Sequence, residues 1–183
     1  MPEFFPAFMR TMRFEGRILE NVKGDTGGQT YWGIARNKNP QWNGWPDIDA
    51  TLKLNPPDPT AKLNEDLQLR EKVGVFYKKY FWDQYHLDLF PTQELASQFY
   101  DAAVNMGGGR PTSGLQSLVG LNPPSGFLGP TTLAAINAFP NQANLPLQFI
   151  QWRKDAYASL VRSKPERAKF LSDWLHRCKL TTA

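Results

Sequence analysis

Reactive side chains are scarce in this sequence: one cysteine, Cys178, and two histidines, His86 and His176, among 183 residues. A single thiol excludes an intrachain disulfide and a cysteine-ligated zinc. Two distant histidines make a histidine metal centre or a Ser-His-Asp triad a poor fit. His176 and Cys178 stand two apart, and on a helix that spacing points them different ways, so they are no nucleophile–base pair. Cys178 is expected to be small apolar filler. No metal and no organic cofactor are expected.

Long apolar runs are missing too, so no membrane span is expected. The opening MPEFFPAFMRTMRFEGR lacks the basic start, the continuous apolar stretch and the small-residue cleavage site of a secretory leader. Synthesis in the cytoplasm is expected, with any action outside the membrane needing another way through. Charge of one sign is not concentrated. The formal net charge is +4 and the pI about 9.2, which favours mild attraction to polyanions. Yet the basic residues are spread out, with only Lys78-Lys79 and the stretch Arg162 to Lys179 enriched. No nucleic-acid partner is expected.

What is present suits a folded domain of ordinary size. Apolar residues make up 41% and charged residues 21%, enough to bury a core. Aromatics reach 13%, with six Trp. Phe4, Phe5, Phe8, Met9 and Met12 recur at helical spacing and Gly16 fits the end of that helix. Residues 20–49 read as a polar, Gly-rich loop region, with Gln29 to Ala35 a β-prone run, one side of a small hairpin. Helical patterns follow over 64–80, 92–106 with Thr92 as its cap, 112–119, 131–139 and 145–161, and Pro165 opens the last. The fold class expected is mostly α, a helical bundle with one small β-hairpin.

Glu15 closes the first helical pattern, and Asp25, Gly27-Gly28 and Thr30 follow within fifteen residues. A carboxyl at the end of an apolar helix, followed by a Gly-bent loop bearing a second carboxylate, suits acid-catalysed cleavage of a glycosidic bond. That reaction needs one protonated carboxyl and a polar group that supports a sugar cation. The same residues also fit a solvated Glu and an ordinary Asp-Thr-Gly-Gly turn. Glu20, Asp47 and Asp49 compete for the two roles. Tyr31, Trp32, Trp42 and Trp45 fall in the polar region, where at least one is expected to stack on sugar. Trp42 or Trp45 equally suits a small core. Asn105 shares a helix face with Asp101 and suits either an acetamido contact or a helix-end cap.

Glu15-Gly16, Asp25-Thr26-Gly27-Gly28, Thr30 and Gly33-Ile34 resemble the opening of the muramidases of glycoside hydrolase family 108. Those carry Glu-Gly-Gly-Tyr, then Asp-Pro-Gly-Gly, then a Thr followed by Gly-Ile. The family's catalytic acid falls on Glu15. The Glu–Asp–Thr order is also similar to the trio of phage-type lysozymes, with the Asp shifted by one. The stretch from Phe99 to Gly107 resembles the Phe-Asp-x-Ala-Val-Asn-x-Gly signature of the peptidoglycan-binding region that accompanies the family. Leu115-Gln116, Gly126 to Leu133 and the closing Phe170-Leu171 and Trp174-Leu175 continue the likeness. Arg17 and Ile18 replace the family's second Gly and its Tyr, and Thr26 its Pro. Within about 4–6 Å of the acid, Arg17 would lower its pKa.

The resemblance implies a lysozyme-like α+β fold, with a catalytic region over 1–90 and a wall-binding helical region over 91–183 packed as one compact unit. It implies a monomeric N-acetylmuramidase cleaving the β-1,4 bond between N-acetylmuramic acid and N-acetylglucosamine in peptidoglycan. Glu15 would be the acid, Asp25 the supporting carboxylate and Thr30 its assistant. Lytic transglycosylase action on the same bond, and a non-catalytic wall-binding or secretion-accessory role, remain open alternatives. The setting implied is the periplasm or cell wall, reached through a holin or a secretion system.

Overall fold

The computed structural model describes residues 1–21 and 26–179. It is mostly helical with one small antiparallel sheet, the lysozyme-like α+β class expected. The chain divides into two compact units, Phe8–Tyr80 and Met1–Ala7 with Phe81–Ala183. Among the described residues no helix is long and apolar enough to cross a membrane.

Helix α1, Phe4–Glu15, sends its apolar stripe inward: Ala7, Phe8 and Met12 are buried. It stops because Gly16 adopts φ +78°, a left-handed turn that a residue without Cβ takes at little cost. The chain then enters β1, Leu19–Glu20, which pairs antiparallel with β2, Thr30–Tyr31, in the register Leu19↔Tyr31 and Glu20↔Thr30. Strand β3, Ile34–Ala35, pairs with β2 on its other edge. The run Gln29 to Ala35 thus supplies both strands of a hairpin rather than one side, and β1 adds a third.

Three further helices complete the Phe8–Tyr80 unit. Helix α2, Trp45–Lys53, lies where the sequence reads as loop: its Pro46 is tolerated in the first turn, where a missing N–H leaves no helical bond unmade. The expected 64–80 helix is two helices, α3, Pro59–Glu65, and α4, Leu67–Tyr77. Asp66 separates them with an extended backbone and accepts the N–H of Leu69 at 3.0 Å, capping α4. The core here is aromatic. Trp42 packs edge-on to Trp45 at 5.0 Å and to Phe76 at 6.3 Å, and stacks on Tyr31 at 6.5 Å. A π-helical stretch, Lys78–Trp82, prolongs α4.

The other unit centres on α5, Gln93–Met106, with α6, Gly109–Leu118, α7, Pro130–Asn137, α8, Leu145–Ser163, and α9, Leu171–Arg177. Thr92 caps α5 by accepting the N–H of Leu95 at 3.2 Å. Phe99 of α5 stacks on Phe149 of α8 at 6.1 Å, both fully buried. Asp101 ties three helices together: Arg153 of α8 donates to it at 2.6 Å and Arg177 of α9 at 2.9 Å. Burial pushes the Asp101 carboxyl up, and the two guanidinium groups outweigh that and leave it below the usual carboxylate range. Cys178 is buried beside Ile150 and Tyr157, as apolar filler.

Candidate active site

Glu15 occupies the last position of α1, half-buried. Facing it is the two-residue turn of the β2–β3 hairpin, Trp32-Gly33. Both residues have positive φ, +48° and +78°, the pattern of the tight hairpin turn whose twist matches its strands. Gly33 is needed for space as well. A Cβ placed on it would stand 3.4 Å from Glu15 Oε2 and only 2.7 Å from the Tyr77 hydroxyl oxygen. The acid, the turn backbone and the Tyr77 hydroxyl therefore crowd one spot.

Trp32 is a bulky residue in a left-handed conformation, which costs on the order of 1 kcal/mol or more. Several neighbours hold it there. The Tyr77 hydroxyl donates to its carbonyl at 2.7 Å, and its own backbone N–H donates to the Ile18 carbonyl at 3.2 Å. Its indole Nε1 donates to Asn64 Oδ1 at 2.8 Å. The Arg17 guanidinium lies 5.2 Å from the ring centroid, a cation–π contact. The charge of Arg17, two residues after Glu15, thus lies against the indole face.

Asn64 is the hub of this support. The same Oδ1 accepts the Tyr31 hydroxyl at 3.0 Å, and its Nδ2 donates to the Arg17 carbonyl at 2.7 Å. One side chain from α3 thereby joins the segment after the acid to the hairpin beside it. Burial pushes the Tyr31 phenol up to about 12, so it stays a protonated donor. At the far end of the sheet Arg36 clamps Asp49 through two bonds of 2.7 and 2.6 Å, and Gln29 at 2.8 Å. The guanidinium bond to Asp49 is the main cause holding that carboxyl low, so Asp49 is committed to shape rather than to chemistry.

The residues singled out from sequence fall into distinct places. Glu15 and the Trp32-Gly33 turn come together. Thr30 lies on β2, half-buried, with its hydroxyl donating to the Gly28 carbonyl at 3.2 Å. Asp25 lies outside the described residues. Tyr31, Trp32, Trp42 and Trp45 are 0%, 3%, 8% and 3% exposed, so little of any ring is open to solvent; Trp42 lines a surface cavity. Asn105 belongs to the other unit, where its side chain accepts the Tyr157 hydroxyl at 2.8 Å, a bond between helices and not the helix-end cap the sequence allowed. Asp47, a rival carboxylate, pairs with Lys72 at 2.5 Å. Among the described residues no group of three or more His, Cys, Asp or Glu is placed to hold a metal ion.

Sequence reasoning missed Tyr77 and Asn64. Tyr77 sits on the apolar stripe of a helix and reads as core, which its ring is; only its hydroxyl serves the turn. Asn64 carries no local signal, because its partners lie 32, 33 and 47 positions away.

The model of the family described as Glycosyl hydrolase 108 matches residues 8–107. Among solved structures, that of Brucella abortus SagA is similar at a TM-score of 0.62 and 22% sequence identity, over 96% of this chain and 88% of that one. At that identity the likeness concerns the fold. No curated protein matches the chain.

Proposed function

The chain belongs to the glycosyl hydrolase 108 family, and from that premise we propose that it is a peptidoglycan N-acetylmuramidase. On this reading it cleaves the β-1,4 bond between N-acetylmuramic acid and N-acetylglucosamine, with Glu15 as general acid. The observation that carries the proposal is the position of Glu15. The carboxyl sits half-buried at the end of a helix whose apolar stripe is buried, against a hairpin turn that only glycine can make at that approach.

The chemistry runs as follows. The Glu15 carboxyl donates its proton to the bridging oxygen as the glycosidic bond breaks, and the sugar left behind becomes cation-like. A second polar group must support that cation or activate water. We assign this role to Asp25, with Thr30 assisting from β2. The bonds of Tyr77 and Asn64 hold the turn that lies against the acid, so this wall of the site is formed before substrate arrives. Peptidoglycan glycan strands are the partner, and the periplasm, where that polymer lies, is the place of action. The C-terminal helices are assigned to holding the wall polymer.

Mass spectrometry of fragments released from purified sacculi tests the proposal. Hydrolysis leaves an ordinary N-acetylmuramic acid reducing end. Fragments lighter by one water, an anhydro end, would replace hydrolysis with a lytic transglycosylase reaction. A reducing N-acetylglucosamine end would show the other glycosidic bond to be the one cut.

A further inference from the structure

A cavity of about 430 Å3 opens on the Phe8–Tyr80 unit, between the loop Lys38 to Asn43 and α4 with its π-helical extension. Three lysines line it, Lys38, Lys72 and Lys79, and no carboxylate does. Lys72 is paired with Asp47. Among the described residues neither Lys38 nor Lys79 has a carboxylate partner, and the Lys79 ammonium rests 5.1 Å from the Tyr80 ring centroid. Two exposed cations therefore flank the cavity without an internal counter-ion.

The rest of the lining pairs amides, Asn39, Gln41 and Asn43, with an apolar wall of Trp42, Val75, Phe76 and Tyr80. Tyr80 and Val75 are 44% and 60% exposed, and Phe76 packs 4.8 Å from Tyr80. The loop wall is pinned from behind: the Asn39 carbonyl accepts the Trp45 indole N–H at 2.7 Å, and the Asn39 amide donates to the Ala35 carbonyl at 3.1 Å. A pocket that joins lysines, amide groups and an aromatic wall fits a short peptide, whose backbone the amides can also hydrogen-bond. Its carboxylates would meet the ammonium groups and its small alkyl side chains the aromatic wall. A bare phosphate would leave the apolar wall unused.

Peptidoglycan carries such a segment, the short acidic stem peptide hung on its muramic acid. Phe76 lines the cavity and Tyr77, the next residue on the same helix, stands beside the acid. Successive helical residues face different ways, so the cavity and Glu15 lie on different sides of α4, a helix roughly 10 Å across. A stem of four or five residues reaches at most about 13–18 Å when extended, comparable with the path of roughly 16 Å half-way round such a helix. We propose that this cavity binds the carboxylate-bearing stem peptide of the wall polymer, which rests on the muramidase reading for the identity of its ligand.

The test is calorimetric titration of a synthetic stem tetrapeptide into the whole chain and into the double variant Lys38→Gln/Lys79→Gln. Both side chains are exposed, and circular dichroism checks that the variant is folded. Two exposed ion pairs set the expected loss at about 2- to 30-fold in Kd, with wild-type binding weakening as salt rises. The peptide with its carboxylates amidated should bind no better than the variant binds the native peptide. In parallel, cleavage of intact peptidoglycan should slow in the variant, while cleavage of glycan strands stripped of peptide is unchanged. Absence of binding by wild type, equal binding by the variant, or tighter binding of an oligonucleotide at the same lysines would overturn the proposal. Peptide binding as described without any cleavage would leave the cavity standing and defeat the muramidase reading; cleavage without peptide binding would do the reverse.

Discussion

Replacing Gly33 with alanine should damage the candidate active site in a way that a second, distant-in-sequence change repairs in part. The Gly33→Ala methyl would lie 2.7 Å from the Tyr77 hydroxyl oxygen and 3.4 Å from Glu15 Oε2. Carbon and oxygen at 2.7 Å overlap, so the tyrosine must leave its 2.7 Å bond to the Trp32 carbonyl or the turn must shift. The alanine must also hold a φ of +78°, which costs about 1–2 kcal/mol. Together with one weakened buried hydrogen bond, at about 1 kcal/mol, the variant should lose about 2–3 kcal/mol. For a chain of this length that lowers Tm by roughly 4–12 °C. If Glu15 is the acid, as proposed, activity on sacculi should fall by about 10- to 100-fold, since an ångström of displacement at a catalytic group is enough for that. Tyr77→Phe alone also destabilises, by about 1–3 kcal/mol, because it strips a buried carbonyl of its donor. In the double variant the overlapping oxygen is gone and the nearest remaining atom, at 3.4 Å, is an ordinary contact. The double variant should therefore lose less stability than the two single variants summed, by at least about 0.5 kcal/mol. Thermal unfolding of the four proteins reads this directly. Additive losses, or an unaffected Gly33→Ala, would refute the close approach of turn, tyrosine and acid.

Asn64→Ala should cost about 2–4 kcal/mol, since it leaves the Tyr31 hydroxyl and Trp32 indole without their shared acceptor; urea unfolding measures the loss, and activity should fall with it. Asp101→Asn should destabilise by about 3–5 kcal/mol, because it removes the counter-charge of two buried arginines. The folded carboxyl of Asp101 lies below its unfolded value. Its contribution is therefore complete at neutral pH and is lost as pH falls from about 4, the unfolded carboxyl value, down through the folded one. Urea midpoints at pH 7 and pH 3 should differ more for wild type than for Asp101→Asn.

Much of the helical fold is legible in the sequence, because apolar spacing and end signals agree there. The stretches Phe4 to Glu15 and Thr92 to Met106 carry both, and their boundaries match closely. Helix α2 is hidden because Gly44, Trp45 and Pro46 look like loop punctuation, although proline suits a first turn. The break at Asp66 is hidden because an apolar period runs through it, and only the capping bond to Leu69 marks it. The third strand is hidden because two residues are too few to show alternation. At the site, Glu15 and the glycines are legible as a helix end followed by a Gly-bent polar stretch. The buried aromatic rings are not: a Gly-rich polar stretch suggests exposure, whereas Tyr31, Trp32, Trp42 and Trp45 build a core from the loop itself. The supports of the turn depend on side chains brought together only by folding, and spacing along the chain carries no trace of them.

The central claim is tested most directly by muropeptide release from purified sacculi by wild type and Glu15→Gln at equal concentration. Unfolding curves should first establish that the two are equally folded. The amide keeps the size of the side chain and removes its transferable proton. Loss of general acid catalysis predicts a fall of about 10²- to 10⁴-fold in release. Comparable release from the two proteins would contradict the assignment of the acid to the end of α1.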